Sequence, residues 1–179
     1  MKRLLSALAA AVLAPFSTFA ISLSDITDNP DQYQKISENM EWVTYIDVNS
    51  IESLRYSPPY YTMRVNIYSV SFPNNLILEQ TSIYNYDYNR SMETIMKQIY
   101  TENQKYSLHQ TSEQLTQKIN SAINSNTGIQ VNETNTIFWD LNGNLIQEKP
   151  TSTSQTVEAN SVGYSIAEAI FNKYYNQYF

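Results

Sequence analysis

Tyr60-Tyr-Thr-Met-Arg-Val-Asn-Ile-Tyr-Ser-Val-Ser-Phe72, then Pro73-Asn74-Asn75, then Leu76-Ile-Leu-Glu-Gln-Thr-Ser-Ile-Tyr-Asn-Tyr-Asp-Tyr88 is the stretch that decides the fold. Both long runs are rich in strand-forming residues and alternate with the period of two of a half-buried strand. Tyr61, Met63, Val65 and Ile67 share one face. Between the runs, Pro-Asn-Asn turns the chain, because Asn tolerates the left-handed region. The two runs therefore predict a hairpin. A two-residue turn at Asn74-Asn75 sets Val65 opposite Tyr84, Met63 opposite Tyr86 and Tyr61 opposite Tyr88. A three-residue loop would slip the pairing by one and move the tyrosines to the face of Tyr60, Thr62 and Arg64. The first register keeps apolar with aromatic side chains and is the one expected.

Upstream, residues 41–48 read as a strand, and Ser57-Pro58-Pro59 ends that unit because proline cannot continue a ladder. Residues 21–40 are polar, with room for one short helix. Downstream the period changes. Met92, Ile95, Met96 and Ile99 form a helical stripe behind Ser91 as N-cap. Thr111 and Gln114 have capping-box spacing ahead of Leu115, Ile119, Ala122 and Ile123, and Thr127-Gly128 supplies a stop. Residues 136–141 and 144–149 flank Asn142-Gly143, the strongest hairpin turn signal in the chain. Residues 150–160, rich in Ser and Thr, read as a loop. The final segment is helical by the spacing of Ile166, Ile170, Tyr174 and Tyr178 with Ala167, Phe171 and Tyr175. The expected fold is α+β: an antiparallel β-sheet of about five strands in two hairpins, with helices packed on one face. Phe179 at the end of the chain raises an outer-membrane barrel as an alternative. Such a barrel needs eight alternating segments of ~10 residues, and helical stripes occupy residues 91–124.

The chain opens MKRLLSALAAAVLAPFSTFA. A basic start, a short apolar run over residues 4–13 and small residues at Thr18 and Ala20 are the parts of a signal peptide. Residues 1–20 are read as that leader and 21–179 as a single α+β domain. The apolar run is too short to span a bilayer, which takes ~20 residues, and no later run approaches that length. Removing Lys2 and Arg3 takes the eleven basic residues to nine, against seventeen acidic ones, a balance of −8. Nothing in that charge favours nucleic acid or an anionic membrane. Cysteine does not occur and there is one histidine, which excludes disulfides, thiolate nucleophiles and the Cys-type and multi-His metal centres. Three glycines leave no glycine-rich phosphate loop. No cofactor is implied.

Three Asp-x-Asn triplets, at Asp47, Asp87 and Asp140, all fall at strand ends. They read as Asx turns rather than calcium ligands, because the Asp140 segment has its glycine two places early and Thr151 at position twelve. His109 has Ser107 and Ser112 near it in sequence, but no nucleophile elbow surrounds a serine, so it reads as a loop histidine. No catalytic or metal-binding residue is singled out. The fifteen tyrosines are the unusual feature. Tyr84, Tyr86, Tyr88 and Tyr60 are the aromatic candidates for a binding surface, since tyrosine offers rigid contact area with a polar tip. Sheet and helix packing is the alternative for each of them.

The run Trp42-Val43-Thr44-Tyr45-Ile46-Asp47-Val48-Asn49-Ser50-Ile51, followed by a long alternating strand, resembles the surface-adhesin protein E group of small exported bacterial proteins. That resemblance covers about a quarter of the chain. It implies an antiparallel sheet with helical cover at the cell envelope, in a group whose members bind host matrix proteins. The cysteines common in that group do not occur here, and the two central helices read as an insertion. No binding residue transfers, because the shared motif is structural.

These readings converge on an exported, non-enzymatic binding protein of the periplasm, cell surface or exterior, adhesin-like, with a host or envelope protein or a glycan as partner. The alternative is an exported hydrolase acting on glycan or peptide through a carboxylate pair. Two close acids with raised pKa values in a concave site would favour the hydrolase. A flat aromatic face would favour binding.

Overall fold

The computed structural model describes residues 20–106 and 108–179. Most of the expected leader, and Ser107, lie outside them. The fold is mixed α+β, with an antiparallel sheet of seven strands rather than about five. The strands are β1 (Tyr33–Glu38), β2 (Val43–Asp47), β3 (Glu52–Ser57), β4 (Tyr60–Ser71), β5 (Leu76–Asp87), β6 (Ile129–Asp140) and β7 (Leu145–Thr156). The helices are α1 (Leu23–Thr27), α2 (Met92–Lys105), α3 (Ser112–Ser125) and α4 (Val162–Tyr175). β1 and β3 escape a reading by alternation because both are short and mostly polar, as strands bordering solvent can be. β7 runs through the expected Ser/Thr loop as far as Thr156. Its edge position tolerates Pro150, and its threonines are β-branched.

Among the described residues the order is β1-β2-β4-β5-β6-β7, with no strand pairing on the outer side of β1 or β7, so the sheet they form is open. β2 and β3 both pair with β4, β2 against Ile67–Val70 and β3 against Tyr60–Arg64. The break between them is Asp47-Val48-Asn49-Ser50. There Asp47 Oδ1 accepts from the Asn49 N–H at 2.9 Å and the Ser50 hydroxyl donates to the Asp47 carbonyl at 2.7 Å. Ser50 Oγ then accepts the Asn66 N–H at 2.8 Å, satisfying a β4 donor that lies between the two paired stretches. The Asp-x-x-Ser spacing of the run Trp42–Ile51 is thus a stitched interruption of one sheet edge.

The central hairpin closes through a four-residue loop, Phe72–Asn75, with Ser71 opposite Leu76. Tyr61 therefore faces Tyr86, Met63 faces Tyr84 and Val65 faces Ser82. Pairing is shifted by two from the expected register. A shift of two preserves the side-chain face, so the same residues point the same way.

α4 lies on that face. Its Ile166, Ala167, Ile170 and Phe171 are buried against Met63, Val65, Tyr84, Tyr86 and Ile129. Helices do not all share this face, contrary to expectation. α1 and Ile21 cover one end of the opposite face, over Tyr68, Val70, Ile77 and Trp139. α2 and α3 spend their stripes on each other, Ile95 and Ile99 against Leu115, Ile119 and Ile123. Their caps are the expected ones: Ser91 Oγ accepts from the Thr94 N–H, and Thr111 and Gln114 form the capping box. No helix among the described residues is long and apolar enough to cross a membrane.

Candidate functional site

On the face opposite α4, cross-strand rows change character along the strands. Val70, Ile77 and Trp139 form an apolar row beneath α1. Tyr68, Glu79 and Ile137 form the next, continued by Glu148 on β7. Asn66, Thr81 and Asn135 form a fully polar third row, in which the Thr81 hydroxyl donates to Asn66 Oδ1 at 3.0 Å. Apolar cover ends where the side chains become polar, and a cleft of ≈ 1030 Å³ opens over the second and third rows. Tyr33, Asp47 and the segment around α1, including Asp25, form its walls.

Glu79 is the centre of this floor. The Trp139 Nε1–H donates to its Oε2 at 2.8 Å and the Tyr68 hydroxyl donates to its Oε1 at 3.2 Å. Burial nevertheless pushes the Glu79 carboxyl above its ordinary value, with the charges of Asp47 and Glu148 adding to the rise. Burial and the Glu79 charge likewise push the Tyr68 hydroxyl far up. The Tyr33 hydroxyl is raised by burial and then by Asp47, Asp25 and Glu79. At the rim Asp25 is held ionised by the hydroxyl and backbone N–H of Ser22, which lower its pKa. Among the described residues the lining holds four carboxylates and no Lys, Arg or His.

The aromatic candidates lie elsewhere. Tyr84 and Tyr86 are each 2 % exposed beneath α4. Tyr86 also donates its hydroxyl to the Ala167 carbonyl at 2.9 Å. Tyr88 is half-buried beside Phe171 and Phe179. Tyr60 is exposed, beneath the Arg55 guanidinium. The tyrosine ladder is mainly core because α4 covers the face it shares with Met63 and Val65. His109 is exposed in the link between α2 and α3.

All three Asp-x-Asn triplets make the same bond. Oδ1 of Asp47, Asp87 and Asp140 accepts the N–H two residues ahead, at 2.9, 3.1 and 2.8 Å. Among the described residues, no three His, Asp or Glu side chains are grouped as metal ligands.

Reading by sequence missed the cleft because Glu79, Asn66 and Thr81 look like the solvent side of amphipathic strands. The available signal was Tyr68 with Val70, and Ile77, which mark a second apolar face interrupted by Glu79. No family model, curated protein or solved structure matches the chain.

Proposed function

We propose that the chain is an exported, non-enzymatic binding protein of the cell envelope or exterior, and that its ligand site is the cleft over Glu79 rather than the tyrosine ladder. The observation that carries this reading is the state of Glu79. It is half-buried in the floor of a cleft large enough for a small molecule, and each of its oxygens already accepts a hydrogen bond from a side chain of the sheet. Such a carboxylate is fixed in place as an acceptor, which suits recognition. The sequence of residues 1–20 and the resemblance of the run Trp42–Ile51 support export and an adhesin-like role at the envelope.

Thr81→Trp places a large ring in the cleft and is the direct test. Thermal-shift measurement against a panel of neutral sugars, amines and carboxylic acids should give a shift with the parent protein, lost in the variant. A ligand that shifts both proteins equally binds elsewhere and ends the reading. Secreted protein should begin at Ile21, read by N-terminal sequencing; material beginning at Met1 would contradict export through this leader.

One observation favours the hydrolase as a second reading: the raised Glu79 carboxyl, with Asp47 contributing to the rise, is the kind of environment that equips a general acid. In that case Glu79→Gln abolishes turnover of a chromogenic glycoside or peptide while the substrate still binds.

A further inference from the structure

The uncharged polar side chains of the cleft define a ligand more closely than its carboxylates do. Asn29, Gln32, Asn66, Thr81 and Asn135 line it, four amides and a hydroxyl. An amide carries donors and an acceptor together, whereas a carboxylate only accepts. Three of the five form the polar row of the floor, and all three are part-buried. Within that row the Thr81 hydroxyl donates to Asn66 Oδ1 at 3.0 Å, and the Asn135 amide donates to Glu148 Oε1 at 3.4 Å. Those bonds orient the row and leave it mixed in character, with donors on Asn66 and acceptors on Thr81 and Asn135. Glu79 stands two residues before Thr81 on the same face of β5, about 7 Å along the strand, and neighbouring strands lie about 4.8 Å apart. A fixed acceptor and a donor–acceptor row therefore lie within hydrogen-bond reach of opposite edges of one pyranose ring. Ile21 and Ile137 add apolar surface for the C–H face of such a ring.

We propose that the cleft binds a neutral carbohydrate, a short oligosaccharide held through its hydroxyls by Glu79 and the row Asn66, Thr81 and Asn135. This rests on the cleft being the ligand site. A sugar hydroxyl donates and accepts at once, so it answers an amide and a carboxylate side by side. Its bond to a carboxylate is of the stronger, charge-assisted kind, although the sugar brings no charge of its own. An ammonium supplies donors only and would leave the amide hydrogens without an acceptor. An anion would accept from the amides but meet four carboxylates. The volume of ≈ 1030 Å³ is at the upper end of ligand pockets and has room for more than one ring.

The test is calorimetric titration of the secreted, processed protein with maltotriose, cellotriose and chitotriose at low and high NaCl, with spermidine and succinate as charged comparisons. At least one trisaccharide should bind saturably, its affinity changing by less than about twofold between the two salts, because screening acts on charge pairs and the ligand has no charge. Asn66→Asp keeps the oxygen to which Thr81 donates and replaces the amide donors by a charge. It should weaken the sugar by about tenfold, as loss of one hydrogen bond does, and strengthen any binding of spermidine. Thr81→Trp fills the cleft and should abolish sugar binding; it carries the test if Asn66→Asp lowers the melting temperature of the free protein. Sugar binding that both variants keep would lie outside the cleft and overturn the proposal together with the cleft reading. Sugar binding lost in Thr81→Trp but unchanged in a stably folded Asn66→Asp would overturn the role of the amide row. Binding of spermidine or succinate in place of every sugar, lost in Thr81→Trp, would overturn the carbohydrate and leave the cleft as the site. No binding by any of the five would overturn the carbohydrate; if the wider thermal-shift panel also gave nothing, the cleft reading would fall with it.

Discussion

Tyr61 stands directly opposite Tyr86 across the β4–β5 hairpin, and both rings close on Phe171 of α4, at 5.2 and 5.0 Å between centroids. This aromatic layer joins the sheet to its covering helix. Tyr86→Ala should cost ~3 kcal/mol or more, as truncation of large buried aromatics does. Tyr86→Phe keeps the ring and loses only the bond to the Ala167 carbonyl, so about 1 kcal/mol is expected. Urea unfolding of the two variants checks the ratio. Equal losses would mean that the hydroxyl, not the ring, carries the contact.

Glu79 gives a pH signature. Its carboxyl is raised from 4.5 in the folded chain, so the folded state holds this proton longer than the unfolded state does. A contribution of that sign is complete below the unfolded pKa and is lost as pH rises through the folded one. The stability of the parent protein should therefore fall, relative to Glu79→Gln, from about pH 4.5 upward, where unfolded glutamate begins to ionise. Urea midpoints for both proteins across that range are the measurement. Parallel curves would contradict a proton-holding environment.

Gly128 has φ +72°, and a Cβ there would lie 2.3 Å from Arg90 Cβ. Gly128→Ala should cost about 1–2 kcal/mol for the left-handed backbone alone, and more for the clash. Gly163 sits inside α4 with nothing closer than 3.5 Å to such a Cβ. Gly163→Ala should be neutral or stabilising by up to about 1 kcal/mol. Thermal melts of the pair separate backbone conformation from loss of a glycine as such.

The Asp-x-Asn bonds predict indifference to calcium. Asp140 Oδ1 accepts from the N–H groups of both Asn142 and Asn144, and its Oδ2 accepts from the Asn144 amide, each at 2.8 Å. Millimolar calcium should leave the melting temperature within about 1 °C, since only a ligand of the folded state raises it. Asp140→Ala should lower it by loosening the β6–β7 turn. A rise of several degrees with calcium, removed by Asp140→Asn, would make these carboxylates ligands.

The sequence made some of this fold legible and hid the rest for identifiable reasons. Alternation in β4 and β5 specified which side chains share a face, because a period of two survives any even shift in register. It could not fix the loop length, so Tyr86 pairs with Tyr61 instead of Met63. Helix starts at Ser91 and Thr111 were legible because their caps are local hydrogen bonds. The partner of each helix was not, since an apolar stripe does not say which surface it meets; α2 and α3 chose each other. The cleft was illegible for the same reason. Glu79, Asn66 and Asp47 are brought together by pairing between strands, and only Asp47 has a local bond that its neighbours in sequence announce.

The separate cluster between α2 and α3 bears on how the molecule breathes. Among the contacts at the root of this helical pair, Arg90 donates to the carbonyls of Ala122 and Asn126, and the Met92 N–H donates to the Phe179 carbonyl. Among the described residues, the stripe itself shares no buried side chain with the sheet's two clusters. Opening the pair therefore need not disturb either face of the sheet. Amide protons of α2 and α3 should exchange together, at an opening free energy well below that of β4 and β5, and a protease should cut first near His109. The sheet and its cleft would stay closed through that event, so a nicked chain keeps the strands on which any ligand would rest.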